Sequence, residues 1–289
     1  MKSESLSPSP VALRTTTLPS CEAVPVMGQG TWGMGENRRR RADEIDALRL
    51  GIDIGLALID TAEMYAGGGA EEVVAEAIVG RRAGVFLVSK VLPNHSTKRA
   101  TIAACEASLK RLRTDRLDLY LLHWRGSTPL DETLEGFEKL EGDGKIRHWG
   151  VSNFDLADMN ELVALPSGRA VATDQVLYNL TRRGIEFDLI PWCRAQGIPI
   201  MAYSPAEQGR LLKQTTLQRV ARRLDATPAQ VALAWVLRHP HVIAIPKASR
   251  IDHVRENRLA LDLRLTAGDF AELDRAFPPP AGPTKLEMI

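Results

Sequence analysis

The chain has 289 residues, of which 44% are hydrophobic and 25% charged, and its formal net charge is +1. This length and balance are typical of one large domain, or two modest ones, with a sizeable core. A charge so close to zero provides no broad basic surface for nucleic acid or an anionic membrane. No apolar stretch approaches the ~20 residues that cross a bilayer. We therefore expect a soluble protein with neither partner.

The cysteines and the N-terminus indicate the cell compartment. Cys21, Cys105 and Cys193 lack paired or metal-type spacing, which predicts buried free thiols in a reducing environment. Residues 1–10 are polar, rich in Ser and Pro, and without a signal pattern, so we expect a disordered tail. Together these features predict a cytoplasmic protein.

Eight strand-like runs alternate with helix-like segments after a predicted hairpin formed by residues 11–16 and 22–26. The runs are near-continuous apolar stretches, typical of parallel strands covered on both faces, at residues 26–31, 56–59, 85–88, 117–122, 146–151, 172–176, 198–202 and 242–245. Helical spacing is clearest at 42–55, 101–112 and 227–238. The alternation predicts a single α/β domain over residues 11–289, a parallel (β/α)8 TIM barrel with a short C-terminal tail at 284–289.

Four reactive side chains lie at or just past the ends of apolar runs: Asp60, Tyr65, Lys90 and His123. In a parallel barrel the carboxyl ends of the strands open onto one face, where active sites are built. An acid, a phenol, a cation and an imidazole that meet there are sufficient for proton transfer to a carbonyl group. We interpret these residues as a candidate catalytic group.

One motif favours a different oxidoreductase fold. Residues 28–33 fit the spacing Gly-x-Gly-x-x-Gly of a Rossmann dinucleotide site. That fingerprint should open an amphipathic helix, whereas here Met-Gly-Glu-Asn and four arginines follow, and there is no Tyr-x-x-x-Lys pair. We expect instead that the glycines let the first barrel strand pass close to a ligand or a neighbouring backbone.

Seven motifs follow one another in an order that resembles the aldo-keto reductase superfamily from about residue 11 to residue 278. They are Ile59–Tyr65 (IDTAEMY), Val88–Val91 (VSKV), Leu121–Trp124 (LLHW), Gly150–Phe154 (GVSNF), Asp174–Asn179 (DQVLYN), Ala202–Pro205 (AYSP) and Ile245–Lys247 (IPK). Within the family the chain is most similar to bacterial reductases of the methylglyoxal and diketogulonate type. The resemblance implies a barrel closed at its bottom by the N-terminal hairpin, and a nicotinamide cofactor bound without a Rossmann domain.

The resemblance also implies catalytic roles. Tyr65 would protonate the carbonyl oxygen as hydride arrives at the carbon. A free phenol has a pKa of about 10, so Lys90 would lower that pKa and Asp60 would keep Lys90 charged and fixed. His123 would bind the same oxygen and orient the substrate. Trp32 and Trp124 match positions that line the substrate pocket, together with His123.

Cofactor contacts follow from the resemblance residue by residue. Ser152, Asn153 and Gln175 would hold the nicotinamide carboxamide, and Tyr203 would stack on the ring. Four residues would follow the pyrophosphate: Ser204, Pro205, Gly209 and Leu211. Five residues would bind the adenosine 2′-phosphate and adenine: Lys247, Ser249, Arg250, Glu256 and Asn257. The family often has an arginine where this chain has His253, so we expect NADPH to be preferred while some use of NADH remains.

The sequence therefore predicts an NADPH-dependent reductase of small aldehydes and 2-oxoaldehydes. It would act as a monomer, with a weak homo-oligomer as the alternative. Two other functions are open. Some relatives of this fold are redox-sensing regulatory subunits of membrane channels, and a lysine at a barrel strand end also suits a Schiff-base lyase. The intact set of four catalytic residues argues against the first, and the Asp60 partner of Lys90 argues against the second.

Overall fold

The N-terminal hairpin closes one end of the molecule. The computed structural model describes residues 14–289, so the predicted tail at 1–10 and the first three residues of the predicted hairpin lie outside the described part. Strand β1 (Thr15–Thr17) pairs antiparallel with β2 (Ala23–Pro25), which confirms the hairpin. Leu18 and Val24 from this hairpin are buried in one cluster with inward-facing residues of the barrel strands, including Leu58 and Leu119. The hairpin therefore plugs the bottom of the barrel.

Eight parallel strands form the barrel wall in chain order. They are β3 (Gln29–Gly30), β4 (Leu58–Asp60), β5 (Phe86–Val91), β6 (Leu117–Leu122), β7 (Ile146–Ser152), β8 (Asp174–Leu177), β9 (Ile200–Tyr203) and β10 (Val242–Ala244). Parallel bridges join Met27 to Ala244 and Gly30 to Lys247. These bridges close the sheet on itself, so the predicted (β/α)8 barrel is confirmed.

Ten α-helices cover the barrel in the described part of the chain. They are α1 (Arg41–Asp53), α2 (Gly69–Ala77), α3 (Lys98–Leu112), α4 (Leu130–Gly142), α5 (Leu156–Ala164), α6 (Leu189–Gln196), α7 (Thr215–Arg223), α8 (Pro228–Val236), α9 (Ile251–Leu259) and α10 (Ala267–Ala276). Helix α8 begins at Pro228, and the Thr227 and Gln230 side chains form a reciprocal capping box at its start. Helix α3 begins three residues before the predicted start because the Thr97 hydroxyl accepts a hydrogen bond from the Ala100 N–H.

Several strands run further toward the carboxyl end than the apolar runs indicated. Strand β5 continues through Ser89 and Lys90 to Val91, because its ladder with β6 pairs Lys90 with Leu121 and Val91 with Leu122. Asp60 is the last residue of β4. Polar residues continue these strands since their backbone groups are bound on both sides, whatever their side chains. Asp60 and Lys90 are consequently held by regular strand backbone.

The glycines of the Gly-x-Gly-x-x-Gly motif serve barrel closure. A Cβ at Gly28 would lie 2.7 Å from the Leu58 carbonyl oxygen, and one at Gly30 would lie 2.8 Å from the Ile245 carbonyl oxygen. The close approach to neighbouring backbone is therefore confirmed. Helix α1 begins only at Arg41, after a 3-10 turn at Arg38–Arg40, so the motif does not open a helix as a Rossmann site would.

The cysteine prediction was wrong at one position. Cys105 and Cys193 are buried, but Cys21 is exposed. Cys21 lies in the turn of the hairpin with a φ of 67°, and its N–H is bonded to the Leu18 carbonyl, so its side chain points away from the plug. Within residues 14–289, no helix combines the length and the apolarity needed to span a membrane.

Candidate active site

Lys90 lies at the centre of a buried polar cluster at the carboxyl end of the barrel. Its side chain is fully buried, and its ammonium nitrogen donates to an Asp60 carboxylate oxygen at 2.9 Å and to the Tyr65 phenol oxygen at 3.1 Å. A third hydrogen bond, to the Thr61 carbonyl at 2.8 Å, was not predicted from the sequence. All three N–H groups of the ammonium ion therefore have an acceptor.

A short connection sets the position of Tyr65. The Tyr65 N–H is bonded to the Ala62 carbonyl at 3.1 Å, and a 3-10 turn follows. The chain then turns through two positions of positive φ, 51° at Ala66 and 59° at Gly67, before α2 begins. The Glu63 carboxylate accepts the Leu92 N–H at 2.7 Å, which ties this connection to the chain that follows β5. Tyr65 and Lys90 are thus held by segments that are bonded to each other.

Burial and charge fix the protonation states of this pair. Burial raises the pKa of Tyr65, and the nearby Lys90 charge offsets this only in part. Lys90 therefore acts on the Tyr65 pKa in the expected direction, but burial outweighs it. Burial works against the charged form of Lys90, yet Asp60 and Tyr65 raise the pKa of Lys90 above its ordinary value. The site holds a protonated phenol beside an ammonium ion.

His123 is a neutral imidazole that packs against Tyr65. Burial and the charge of Lys90 lower its pKa to about 2. Its Nδ1 atom is buried without a hydrogen-bond partner among the described residues. The His123 ring centre lies 5.8 Å from that of Tyr65. The two rings therefore pack edge to face in direct contact.

Two tryptophans extend this group of rings. Trp32 meets the edge of Tyr65 at a centroid distance of 5.0 Å, and Trp124 lies 5.0 Å from His123. Trp32 is 53% exposed, a large fraction for such an apolar side chain. The structure thus brings the two predicted pocket residues to the rim around Tyr65 and His123.

The residues assigned to the carboxamide form a second buried network beside the first. The Gln175 side-chain amide donates to Asp60 at 2.8 Å. The Asn153 amide donates to the His123 carbonyl at 3.1 Å and accepts from the Tyr203 hydroxyl at 3.0 Å. Ser152 donates to the Gln175 carbonyl at 2.8 Å. These bonds connect the acidic end of the Lys90 cluster to β7, β8 and β9.

The loop after β9, residues 204–213, carries the residues assigned to the pyrophosphate. Ser204 has a φ of 47° and Gly209 a φ of 85°. Pro205 is buried, and Leu211 is 1% exposed because its side chain packs into the main core. Glu207, in the same loop, is buried at 5% exposure and was not predicted from the sequence, which offers no signal for it.

The residues assigned to the 2′-phosphate and adenine surround the start of α9. Lys247 follows β10 and lies at the surface, while the hydroxyl oxygen of Ser249 is buried without a partner among the described residues. Arg250 is held by Asp252 at 2.6 Å. Glu256 is half-buried and Asn257 is 8% exposed, both on α9. These residues are neighbours in the structure, at a distance along the rim from the Lys90 cluster.

The family follows from comparison with known proteins. A sequence model described as the aldo/keto reductase family matches residues 26–277. The chain belongs to this family. It is therefore an oxidoreductase, and its barrel with the hairpin plug is the fold of an aldo/keto reductase.

Individual relatives agree with this assignment. The reductase is 55% identical over 272 residues to the methylglyoxal reductase YeaE of Escherichia coli K12, covering 92% of this chain and 96% of that protein. It is 35% identical over 247 residues to the glyoxal reductase of Bacillus subtilis, covering 84% and 87%. A crystal structure of an aldo/keto reductase from Klebsiella pneumoniae in complex with NADP and acetate superimposes with a TM-score of 0.94 at 53% identity, covering 96% of this chain and 100% of that one.

Proposed function

We propose that this protein reduces small aldehydes and 2-oxoaldehydes such as methylglyoxal to alcohols, with NADPH as reductant and Tyr65 as general acid. The observation that carries the proposal is the Tyr65–Lys90–Asp60 geometry. A protonated phenol is held 3.1 Å from a fully buried ammonium ion that an aspartate neutralises. The names of the relatives, a methylglyoxal reductase and a glyoxal reductase, support the substrate class.

The residues present fit an NADP cofactor. Ser249 has a buried hydroxyl oxygen without a described partner, two residues from the cation of Lys247, which suits a phosphate oxygen. Tyr203 would stack on the nicotinamide, with Ser152, Asn153 and Gln175 at its carboxamide, and Ser204, Pro205, Gly209 and Leu211 would line the pyrophosphate. Arg250, Glu256 and Asn257 would complete the adenosine end. When bound, the cofactor supplies the hydride.

The protein's own contribution is to protonate and stabilise the developing alkoxide. Tyr65 gives its proton to the carbonyl oxygen, and the phenolate left behind is stabilised by the Lys90 ammonium at 3.1 Å. His123 is neutral, so with its proton on Nε2 it donates one hydrogen bond to the same oxygen and competes for no proton. Asp60 balances the charge of Lys90, so the buried cation persists in both states.

The same geometry disfavours a Schiff-base lyase. A lysine attacks a carbonyl as the free amine, and its pKa must be lowered for that purpose. Here the pKa of Lys90 is raised, and all three of its N–H groups are bonded. Lys90 is therefore suited to stabilise charge and not to act as a nucleophile.

Substitution of Tyr65 by phenylalanine tests the proposal. We expect kcat for methylglyoxal with NADPH to fall by about 10²–10⁴, the usual contribution of a positioned general acid. The NADPH Kd should change less than twofold. Tyr120→Phe is the matched control, because the Tyr120 hydroxyl is buried without a partner among the described residues and its ring packs against Phe137 on α4. If Tyr65→Phe reduced methylglyoxal as fast as Tyr120→Phe, the assigned mechanism would be wrong.

A further inference from the structure

Glu207 is a buried carboxylate in a strained loop. Within the 204–213 loop, three residues other than glycine have positive φ values: 47° at Ser204, 50° at Glu207 and 53° at Gln208. Side chains disfavour this backbone region, so such a loop keeps its shape only where its surroundings hold it. The contacts of Glu207 show what holds it.

The Glu207 carboxylate is saturated with donors. One oxygen accepts the Asn179 side-chain amide at 2.7 Å, and the other accepts two N–H groups of Arg182 at 3.1 and 3.2 Å and one of Arg210 at 3.1 Å. Asn179 is fully buried and also donates to the Ser204 carbonyl at 3.0 Å. The connection after β8 therefore clamps both the backbone and the side chain of the 204–213 loop.

Arg182 also holds the C-terminal tail, residues 284–289. Its remaining terminal nitrogen donates to the Glu287 carboxylate at 2.5 Å. The tail is further anchored by Leu286, which packs against the main core. One guanidinium group thus joins the 204–213 loop to the C-terminal tail.

We propose that Arg182 is a positioning residue for cofactor binding. Through Glu207 it presets the 204–213 loop in the shape that receives the pyrophosphate, and through Glu287 it couples that shape to the seating of the tail. A preset loop loses less conformational freedom on binding, so the affinity is higher. Coupling through one cation makes the tail and the cofactor affect each other's binding reciprocally. The inference rests on the proposed function, since it assumes that this loop meets the cofactor.

Equilibrium binding of NADPH, followed by quenching of tryptophan fluorescence, tests the inference. We expect Arg182→Ala and Glu207→Gln each to raise the NADPH Kd at least fivefold. Arg182→Ala removes the donors to Glu207, and Glu207→Gln places an amide donor against Asn179 or Arg182. Glu287→Gln should raise it two- to threefold. At saturating NADPH, kcat should stay within twofold of wild type in all three, since none of these groups touches the reacting atoms.

A double-mutant cycle isolates the coupling. Glu287→Gln should have no further effect on the NADPH Kd in the Arg182→Ala protein, because that protein already lacks the ion pair between residues 182 and 287. Arg219→Ala, which breaks a similar but exposed ion pair with Glu272, is the matched control and should leave Kd unchanged. If Arg182→Ala fails to fold, Arg182→Lys keeps the charge and loses the forked contact to Glu207.

Two results would overturn the inference. One is an NADPH Kd within twofold of wild type in folded Arg182 and Glu207 variants. The other is an undiminished Glu287→Gln effect in the Arg182→Ala protein. Failure of the proposed function is distinguishable: wild-type protein would then not bind NADPH, or Lys247→Ala would bind it unchanged.

Discussion

Lys247 is the residue on which the cofactor preference should depend. Partial desolvation and the positive charge of Arg40 lower its pKa, yet Glu44 and Glu36 work in the opposite direction. A basic side chain placed near another cation gains from the arrival of a phosphate, which relieves the repulsion between them. Lys247 is two residues from Ser249, whose hydroxyl has no partner among the described residues. The position of Lys247 is therefore suited to a phosphate dianion.

We expect Lys247→Ala to raise the Kd of NADPH at least tenfold and to change that of NADH little. A charge-assisted contact to a phosphate is worth roughly 1.5–3 kcal/mol, and NADH has no 2′-phosphate to lose. Because His253 stands where the family often has arginine, activity with NADH should persist. Titration with both cofactors measures the effect, with Lys110→Ala, an exposed lysine on α3, as control. Equal weakening for both cofactors would contradict the role given to Lys247.

Asp174 is a second residue of electrostatic interest, because burial of its carboxyl group has a cost to the stability of the fold. It is fully buried, one oxygen has no partner among the described residues, and the other accepts only the Phe154 N–H at 3.4 Å. Burial raises the pKa of Asp174 well above its ordinary value, so the neutral carboxyl group persists to higher pH in the folded protein than in the unfolded chain. In the unfolded chain the same group ionises at a pKa of about 3.9.

Asp174→Asn should therefore stabilise the protein at neutral pH. The raised folded pKa gives a contribution that is fully present below the unfolded pKa and is lost as pH rises above it. Asparagine does not ionise, so we expect a gain in the free energy of unfolding at pH 7.5 and little gain at pH 4. Urea unfolding at both pH values measures this, with exposed Asp115→Asn as control. A loss of stability of the same size at both pH values would refute the protonated state.

At the scale of elements, the barrel depends on how closely its first strand packs. The pair formed by β3 is short, and the closing bridges to the β10 segment use Met27 and Gly30. Gly30 donates its N–H to the Pro246 carbonyl at 3.0 Å, and the backbone of Ile245 lies where a side chain would begin. Closure therefore needs glycine for space and not for an unusual φ.

Gly30→Ala should destabilise the fold by about 1–3 kcal/mol, because the added methyl group would meet backbone that cannot move without opening the barrel. Gly142→Ala is the matched control, since no atom lies within 4 Å of the place that its methyl group would occupy at the end of α4. Alanine there should be neutral or stabilising by up to about 1 kcal/mol. The midpoint of urea unfolding, at constant slope, measures both. Equal effects of the two substitutions would show that close packing at β3 is unimportant.

At the scale of the whole molecule, we expect the site to favour small and activated substrates. Trp32 and Trp124 make flat apolar walls beside Tyr65 and His123. Such walls offer few polar groups with which to bind a large substrate. A second carbonyl withdraws electrons and makes hydride addition easier, so less binding energy from remote groups is needed.

We expect kcat/KM with NADPH to be higher for methylglyoxal and other short 2-oxoaldehydes than for steroids or large sugars. Several short aldehydes should be reduced at useful rates, because flat apolar walls discriminate weakly between them. A panel of carbonyl compounds at fixed NADPH measures this preference. Faster turnover of a bulky ketone than of methylglyoxal would rule out the small pocket, even if Tyr65 remained the acid.

The monomeric state and the cytoplasmic location of the protein stay predictions.

The sequence by itself determined the barrel and its reactive strand ends. Apolar runs of strand length that alternate with helical periodicity have few ways to bury both faces, and parallel strands place Asp60, Lys90 and His123 on one rim. The glycine spacing at 28–33 was also interpretable, because its context lacked the helix that a Rossmann site needs. These features are local, so residue order alone carries them.

Only the tertiary structure decided the electrostatics and the long-range clamps. The protonation of Tyr65 depends on how burial balances against Lys90, and the pKa of His123 depends on the same enclosure. In the sequence Glu207 is an ordinary loop glutamate. Its role arises from the tertiary contact with Arg182, 25 residues earlier in the chain. Desolvation and contacts between distant segments arise from packing, and no spacing in the chain encodes their balance.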